Sequence, residues 1–121
     1  MASRPATVED LLEKKALPTQ EFTVRLGGEE VRIELQAINS PDYDELLAAH
    51  PPTKKQQESG DTYNTDTFAP ALIAQVMKVP ALTEAQAQEI WKGESWTRGE
   101  LRDLFMSAVQ ICQQGLNVPF S

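Results

Sequence analysis

Apolar residues recur along this chain at two spacings, and the change from one to the other divides it. Over EFTVRLGGEEVRIELQAI, Phe22, Val24 and Leu26, then Val31, Ile33 and Leu35, fall at every second position. Period two with β-branched residues predicts two strands, and Gly27-Gly28 between them supplies the positive φ angles of a tight hairpin turn. One face is apolar. The other carries Thr23, Arg25, Arg32 and Glu34, suited to cross-strand charge pairing. A lone hairpin is marginal in water, so this one needs helices on its apolar face or strands from another copy.

Helical spacing lies on both sides of the hairpin. In TVEDLLEKKALP, Thr7 caps a short helix with Glu9 and Asp10 in its first turn. Val8, Leu11, Leu12 and Ala16 form a narrow stripe that ends at Pro18. Such a helix is too short to stand alone and must dock on its own domain or on a neighbouring subunit. After the hairpin, SPDYDELLAAH predicts a helix capped by Ser40, with Pro41 at the first helical position and Tyr43, Leu46 and Leu47 on one side. PPTKKQQESGDTYN, residues 51–64, has no periodicity and is expected to be a flexible loop that is disordered or orders late.

From Thr65 the pattern is helical to the end. TDTFAPALIAQVMKV gathers Phe68, Leu72, Ile73, Val76 and Met77 on one broad face, with Pro70 tolerable in the first turn or at a kink. In TEAQAQEIWKG, Thr83 and Gln86 match a capping box and Gly93 stands where a C-terminal glycine belongs. Thr97 and Glu100 match a second box, and Trp96 with Leu101 has the spacing of a hydrophobic staple. The last helix runs to Gly115 with Leu101, Leu104, Phe105, Ala108, Ile111 and Cys112 as its main stripe, widened by Met106 and Val109. The short connection between Trp91 and Trp96 favours an antiparallel helical hairpin. In the ending LNVPFS, Val118 and Phe120 either tuck into the core or begin something longer. The expected class is α+β, mainly α: an N-terminal β-hairpin followed by a small helical bundle. Residues 1–20 are a tail and short helix, and 21–121 a single α+β domain.

Charge narrows what such a domain can do. Eleven Lys and Arg stand against 18 Asp and Glu among 121 residues, a formal net charge of -7. A duplex binder needs a basic face to release counterions from phosphates, so nucleic acid is not an expected partner. An anionic membrane is not an expected partner on the same ground, and no apolar run approaches the roughly 18 residues of a membrane span. MASRPATVED lacks the apolar segment of a secretory signal.

Catalytic chemistry finds no convergent groups. His50 is the only histidine and stands at a helix end before two prolines, a position where histidine commonly caps carbonyls. Asp42, Asp44 and Glu45 are ordinary first-turn electrostatics. One cysteine and one histidine are too few for a typical metal site, and Cys112 reads as a small buried hydrophobe. Gly27-Gly28 lacks the Lys-Ser/Thr and helix of a phosphate loop. Trp91 and Trp96 suit core or staple packing better than ligand stacking. The expectation is a binding protein without cofactor, metal or catalytic residue.

The order of elements resembles the tail assembly chaperones of long-tailed, siphovirus-type bacteriophages, especially those infecting actinobacteria. The resemblance covers about residues 20–120. It rests on FTVRLGGEEVRIELQAI leading into SPDYDELLAAH, on ALIAQVMKVPALTEAQAQEIW, and on WTRGELRDLFMSAVQICQQ. It implies a protein that coats the aggregation-prone tape measure protein in the host cytoplasm and is absent from the mature virion. It further implies homo-oligomers, in rings or spirals, and contact with the tail tube protein through a longer form made by programmed frameshifting near GLNVPFS. On that reading the helical hairpin Ala71 to Cys112 is the candidate for client binding, through Leu72, Ile73, Val76, Met77, Leu104, Phe105 and Val109. Leu11, Leu12, Val24, Val31 and Ile33 are candidates for self-association. Two other classes remain: a permanent tail or neck component of the virion, and an acidic inhibitor or regulator, the latter weakened because the acids are dispersed.

Overall fold

A computed structural model describes residues 4–13 and 16–113. Its elements are α1 (Val8–Leu12), β1 (Thr19–Leu26), β2 (Glu29–Gln36), α2 (Ser40–Ala48), α3 (Lys54–Glu58), α4 (Thr65–Val76), β3 (Met77–Val79), α5 (Glu84–Lys92) and α6 (Arg98–Gln113). The class is α+β, mainly α, with a three-stranded antiparallel sheet of order β1-β2-β3. The hairpin has the register the alternation demands, with Phe22 opposite Ile33 and Val24 opposite Val31. Gly27 and Gly28 turn it at φ of 57° and 84°, the double positive φ of a type I′ turn.

Helices α4, α5 and α6 pack together, and α6 covers the apolar face of β2. Their shared interior holds Leu35, Phe68, Leu72 and Val76 at 0% exposure, with Leu101 and Ala108 beside them. Phe68 is its hub. The rings of Tyr43, His50, Tyr63 and Phe105 meet it edge-on, Tyr63 nearest at 5.0 Å between centroids. Edge-to-face aromatic pairs add attraction beyond burial alone. Trp91 continues the chain of rings, 6.1 Å from Phe105, with the Arg98 guanidinium 5.3 Å above its own ring.

The caps account for most helix starts. Thr83 with Gln86 and Thr97 with Glu100 form reciprocal boxes, their four bonds between 2.8 and 3.1 Å. Thr7 and Asp10 form another, in which Arg4 also grips the Asp10 carboxylate. Gly93 ends α5 at φ -77°, in extended rather than left-handed backbone. Its lack of a side chain matters through space instead: a Cβ there would lie 2.6 Å from the Glu89 carbonyl oxygen.

Four expectations are corrected. Asn39, not Ser40, caps α2, its Oδ1 accepting from Asp42 N at 2.9 Å. Residues 51–64 are not structureless: Thr53 and Gln56 form a capping box that starts α3. That segment is tied down at its base, where Asn64 N–H donates to the His50 carbonyl, and Gln56 Nε2 donates to Asn64 Oδ1. Met77 leaves the helix and opens β3, pairing with Leu35. Pro70 sits in the second turn of α4 rather than the first, fully enclosed. The carbonyl its ring leaves without an N–H partner belongs to Asp66, which is exposed to water. Gly115 and the LNVPFS ending lie outside the described residues.

Candidate functional site

The apolar face of the sheet extends further than the helices cover. α6 lies over β2, and β1 projects beyond it. Between β1 and the first half of α6 runs an open groove of about 290 Å³. Its floor is Phe22, Val24 and Leu26 from β1 with Ile33 from β2, and its wall is Trp96 and Leu104. Leu26 keeps 41% of its surface in water, while Phe22, Val24 and Trp96 are half-buried. Glu100 and Asp103 of α6 line its helix side.

Each element is positioned by local chemistry. The alternation in β1 turns Phe22, Val24 and Leu26 to one face. The Thr97 box fixes where α6 starts, and so sets Glu100, Asp103, Leu104 and Ser107 along the groove at helical spacing. The two tryptophans of WKGESW divide between two tasks: Trp91 is buried in the core and Trp96 faces the groove.

The structure relocates the residues expected to bind a client. Leu72, Ile73, Val76, Met77, Leu104 and Phe105 are 0–7% exposed, and only Val109 is half-buried. Six of these seven side chains therefore build the interior. The stripes of α4 and α6 face each other, which satisfies both and leaves neither as a binding face in the single chain. The expected helical hairpin Ala71 to Cys112 contributes to the groove only through its α6 half. Among the residues expected at subunit contacts, Leu11 and Leu12 stand 77% and 79% exposed, and Val24 and Val31 are half-buried. Ile33, at 7% exposure, lies in the core of the single chain. Sequence reasoning missed Phe22, Leu26 and Trp96 as groove residues. No local sequence signal marks them: it is the strand order, in which β1 is an edge among the described residues, that leaves its half of the apolar face without full cover.

Polar chemistry elsewhere is structural. His50 Nδ1 hydrogen-bonds Thr67 Oγ1 at 2.9 Å and its ring packs on Phe68, so it fastens the 51–64 segment to α4. Burial pushes the Cys112 thiol above its ordinary value of 9.0. Burial likewise raises the Tyr43 phenol, with further contributions from Cys112 and Tyr63. Among the described residues no cluster of three His, Cys, Asp or Glu side chains could hold a metal, and no helix is long and apolar enough to cross a membrane. Comparison of the chain with family models, with curated proteins and with solved structures gave no match.

Proposed function

We propose that the chain is a tail assembly chaperone that keeps a phage tape measure protein soluble while the tail is built. The observation that carries the reading is the groove: an open apolar trough with carboxylates on one side, on a chain of net charge -7. A tape measure protein is a long helix with apolar stripes, and a helix laid in an apolar groove is held by anchors at i, i+3, i+4 and i+7. A trough this small grips weakly, which suits a partner that must leave. Many weak grips along one client add through effective concentration. The client surface is thus Phe22, Val24, Leu26 and Trp96, with Leu11 and Leu12 open to contacts between copies.

The test is light scattering after size-exclusion chromatography, on the chain alone and co-expressed with the tape measure protein encoded beside it. The expected result is a soluble complex with many copies per client, and an insoluble client without the chain. A tape measure protein that stays insoluble with the chain present, or the chain recovered in purified virions, overturns the reading.

A further inference from the structure

We propose that two copies of this chain pair edge to edge through β1, antiparallel about a two-fold axis at Thr23, so that Glu21 of each copy faces Arg25 of the other. The inference deepens the reading above only in its self-association; client binding is tested separately below.

The two edges of the sheet are unlike. β3 is three residues long, its pairing with β2 is irregular at Glu34 and Leu35, and Pro80 follows it without an N–H to offer. Short, irregular and proline-ended strands are how sheets close an edge. β1 is eight residues long, regular throughout, and free of proline. Among the described residues no strand pairs with its outer edge, which is a template for another strand.

The backbone dictates which residues take part. Ala37 N–H donates to Pro18 O at 2.9 Å, so the pair Pro18/Ala37 is turned inward. Antiparallel ladders alternate, so Gln20, Phe22, Val24 and Leu26 also bond to β2. Leu26 and Glu29, closing the two-residue turn, agree with that phase. Thr19, Glu21, Thr23 and Arg25 therefore direct N–H and C=O outward. Two-fold pairing must set these residues opposite one another, which also keeps both apolar faces on one side. An axis at Glu21 or Arg25 sets like charges together, so near the middle of the strand, where overlap is longest, the axis can pass through Phe22, Thr23 or Val24.

Charge selects among the three. In the single chain Glu21 lies directly across from Glu34, and its nearest cation is Arg32 at 3.8 Å. Arg25 lies across from Glu30 at 3.3 Å. With the axis at Thr23, each row across the joined sheets reads Glu34, Glu21, then Arg25 and Glu30 of the second copy. Arg25 thus stands between two carboxylates, and the like-charged pair gains a cation. An axis at Phe22 or Val24 puts Thr23 opposite Glu21 or Arg25 and matches no charges. On the apolar face the same register lays Phe22 against Val24 of the second copy, both half-exposed in the single chain. The interface is isologous and closes at two copies. It sets the two grooves on one face of a continuous sheet, a bivalent seat for one long helix, and leaves Leu11 and Leu12 for larger assembly.

Single cysteines in a Cys112→Ala background read the register directly. Thr23→Cys pairs with itself across the axis at about 5.5 Å between Cα atoms, within the roughly 4.4–6.8 Å of a disulfide. Glu21→Cys lies roughly 13 Å from its own copy and faces Arg25→Cys instead. Mild oxidation is expected to dimerise Thr23→Cys alone, and Glu21→Cys only when mixed with Arg25→Cys. Circular dichroism confirms that each variant is folded. In the wild-type background, Glu21→Arg and Arg25→Glu are each expected to associate about tenfold or more weakly with themselves, and to pair with each other when mixed. A folded Thr23→Cys that gives no dimer, or Glu21→Arg that self-associates like wild type, overturns the pairing. Tape measure solubility is followed in the same samples. Pairing in this register with an insoluble client supports the pairing and sinks the proposed function; a soluble client held by strictly monomeric chains does the reverse.

Discussion

Helix α4 and strand β1 each carry an apolar face, the helix the more hydrophobic of the two, and they meet opposite fates. Phe68, Leu72, Ile73 and Val76 of α4 are shut away from water, while β1 leaves Leu26 at 41% exposure and Phe22 and Val24 half covered. The difference is not in the residues but in their neighbours. α4 is flanked by α2, α5 and α6. β1 has β2 on one edge, no strand on the other among the described residues, and a helix that reaches only part of its face. An apolar side chain binds a partner only where the fold has left it without one, so the more hydrophobic element is the poorer guide to the site.

The largest effect expected from this contrast is at the hub. Phe68→Ala should destabilise the chain by about 3–5 kcal/mol, because it removes the ring that four others pack on and leaves a cavity. Urea denaturation followed by tryptophan fluorescence measures it; a loss below about 1 kcal/mol would break the picture of α4 as interior. Next in size is Thr97→Ala, which removes one bond of the box that starts α6 and should cost about 1 kcal/mol. Because α6 builds both the core and one groove wall, the same variant should also weaken client capture.

A smaller and pH-dependent effect sharpens the interior side. Burial raises both the Cys112 thiol and the Tyr43 phenol above their ordinary values of 9.0 and 10.0. A group whose native value is raised contributes stability below its unfolded value and loses it as pH rises through the native one. The urea midpoint should therefore stay level up to about pH 9 and fall above it, and Cys112→Ala should flatten the first part of the fall. The smallest change in stability belongs to β1. Leu26→Ser should alter the urea midpoint by no more than about 0.5 kcal/mol equivalent, yet reduce the tape measure protein recovered in solution. A large stability loss there would mean that Leu26 is core and the groove closed.

Some elements were legible because their causes are local. The hairpin follows from alternation over Phe22 to Leu35 and two glycines at positive φ, and the helix starts at Thr7, Thr83 and Thr97 from hydroxyl and carboxamide or carboxylate groups three residues apart. The same signal stood at Thr53 and Gln56. Apolar periodicity is silent there because α3 carries no apolar stripe: KKQQE buries nothing, and capping alone marks the helix. Asn39 and Ser40 are both good caps one residue apart, and the backbone alone decides which carries the extended φ and ψ.

What the chain by itself determined is thus its class, its hairpin register and the caps at Thr7, Thr83 and Thr97, all set by interactions within a few residues or between directly paired strands. What only the tertiary structure decided is which apolar stripe is interior. Met77 continues the stripe of α4, yet it leaves the helix to pair with Leu35, because β2 has a second edge whose backbone groups need partners. Leu104 and Phe105 read like a binding face until α4 closes over them. Phe22, Leu26 and Trp96 read like core until β1 is seen to lie at the sheet's rim. Burial is a property of where elements meet, and that meeting is written in no single stretch of residues.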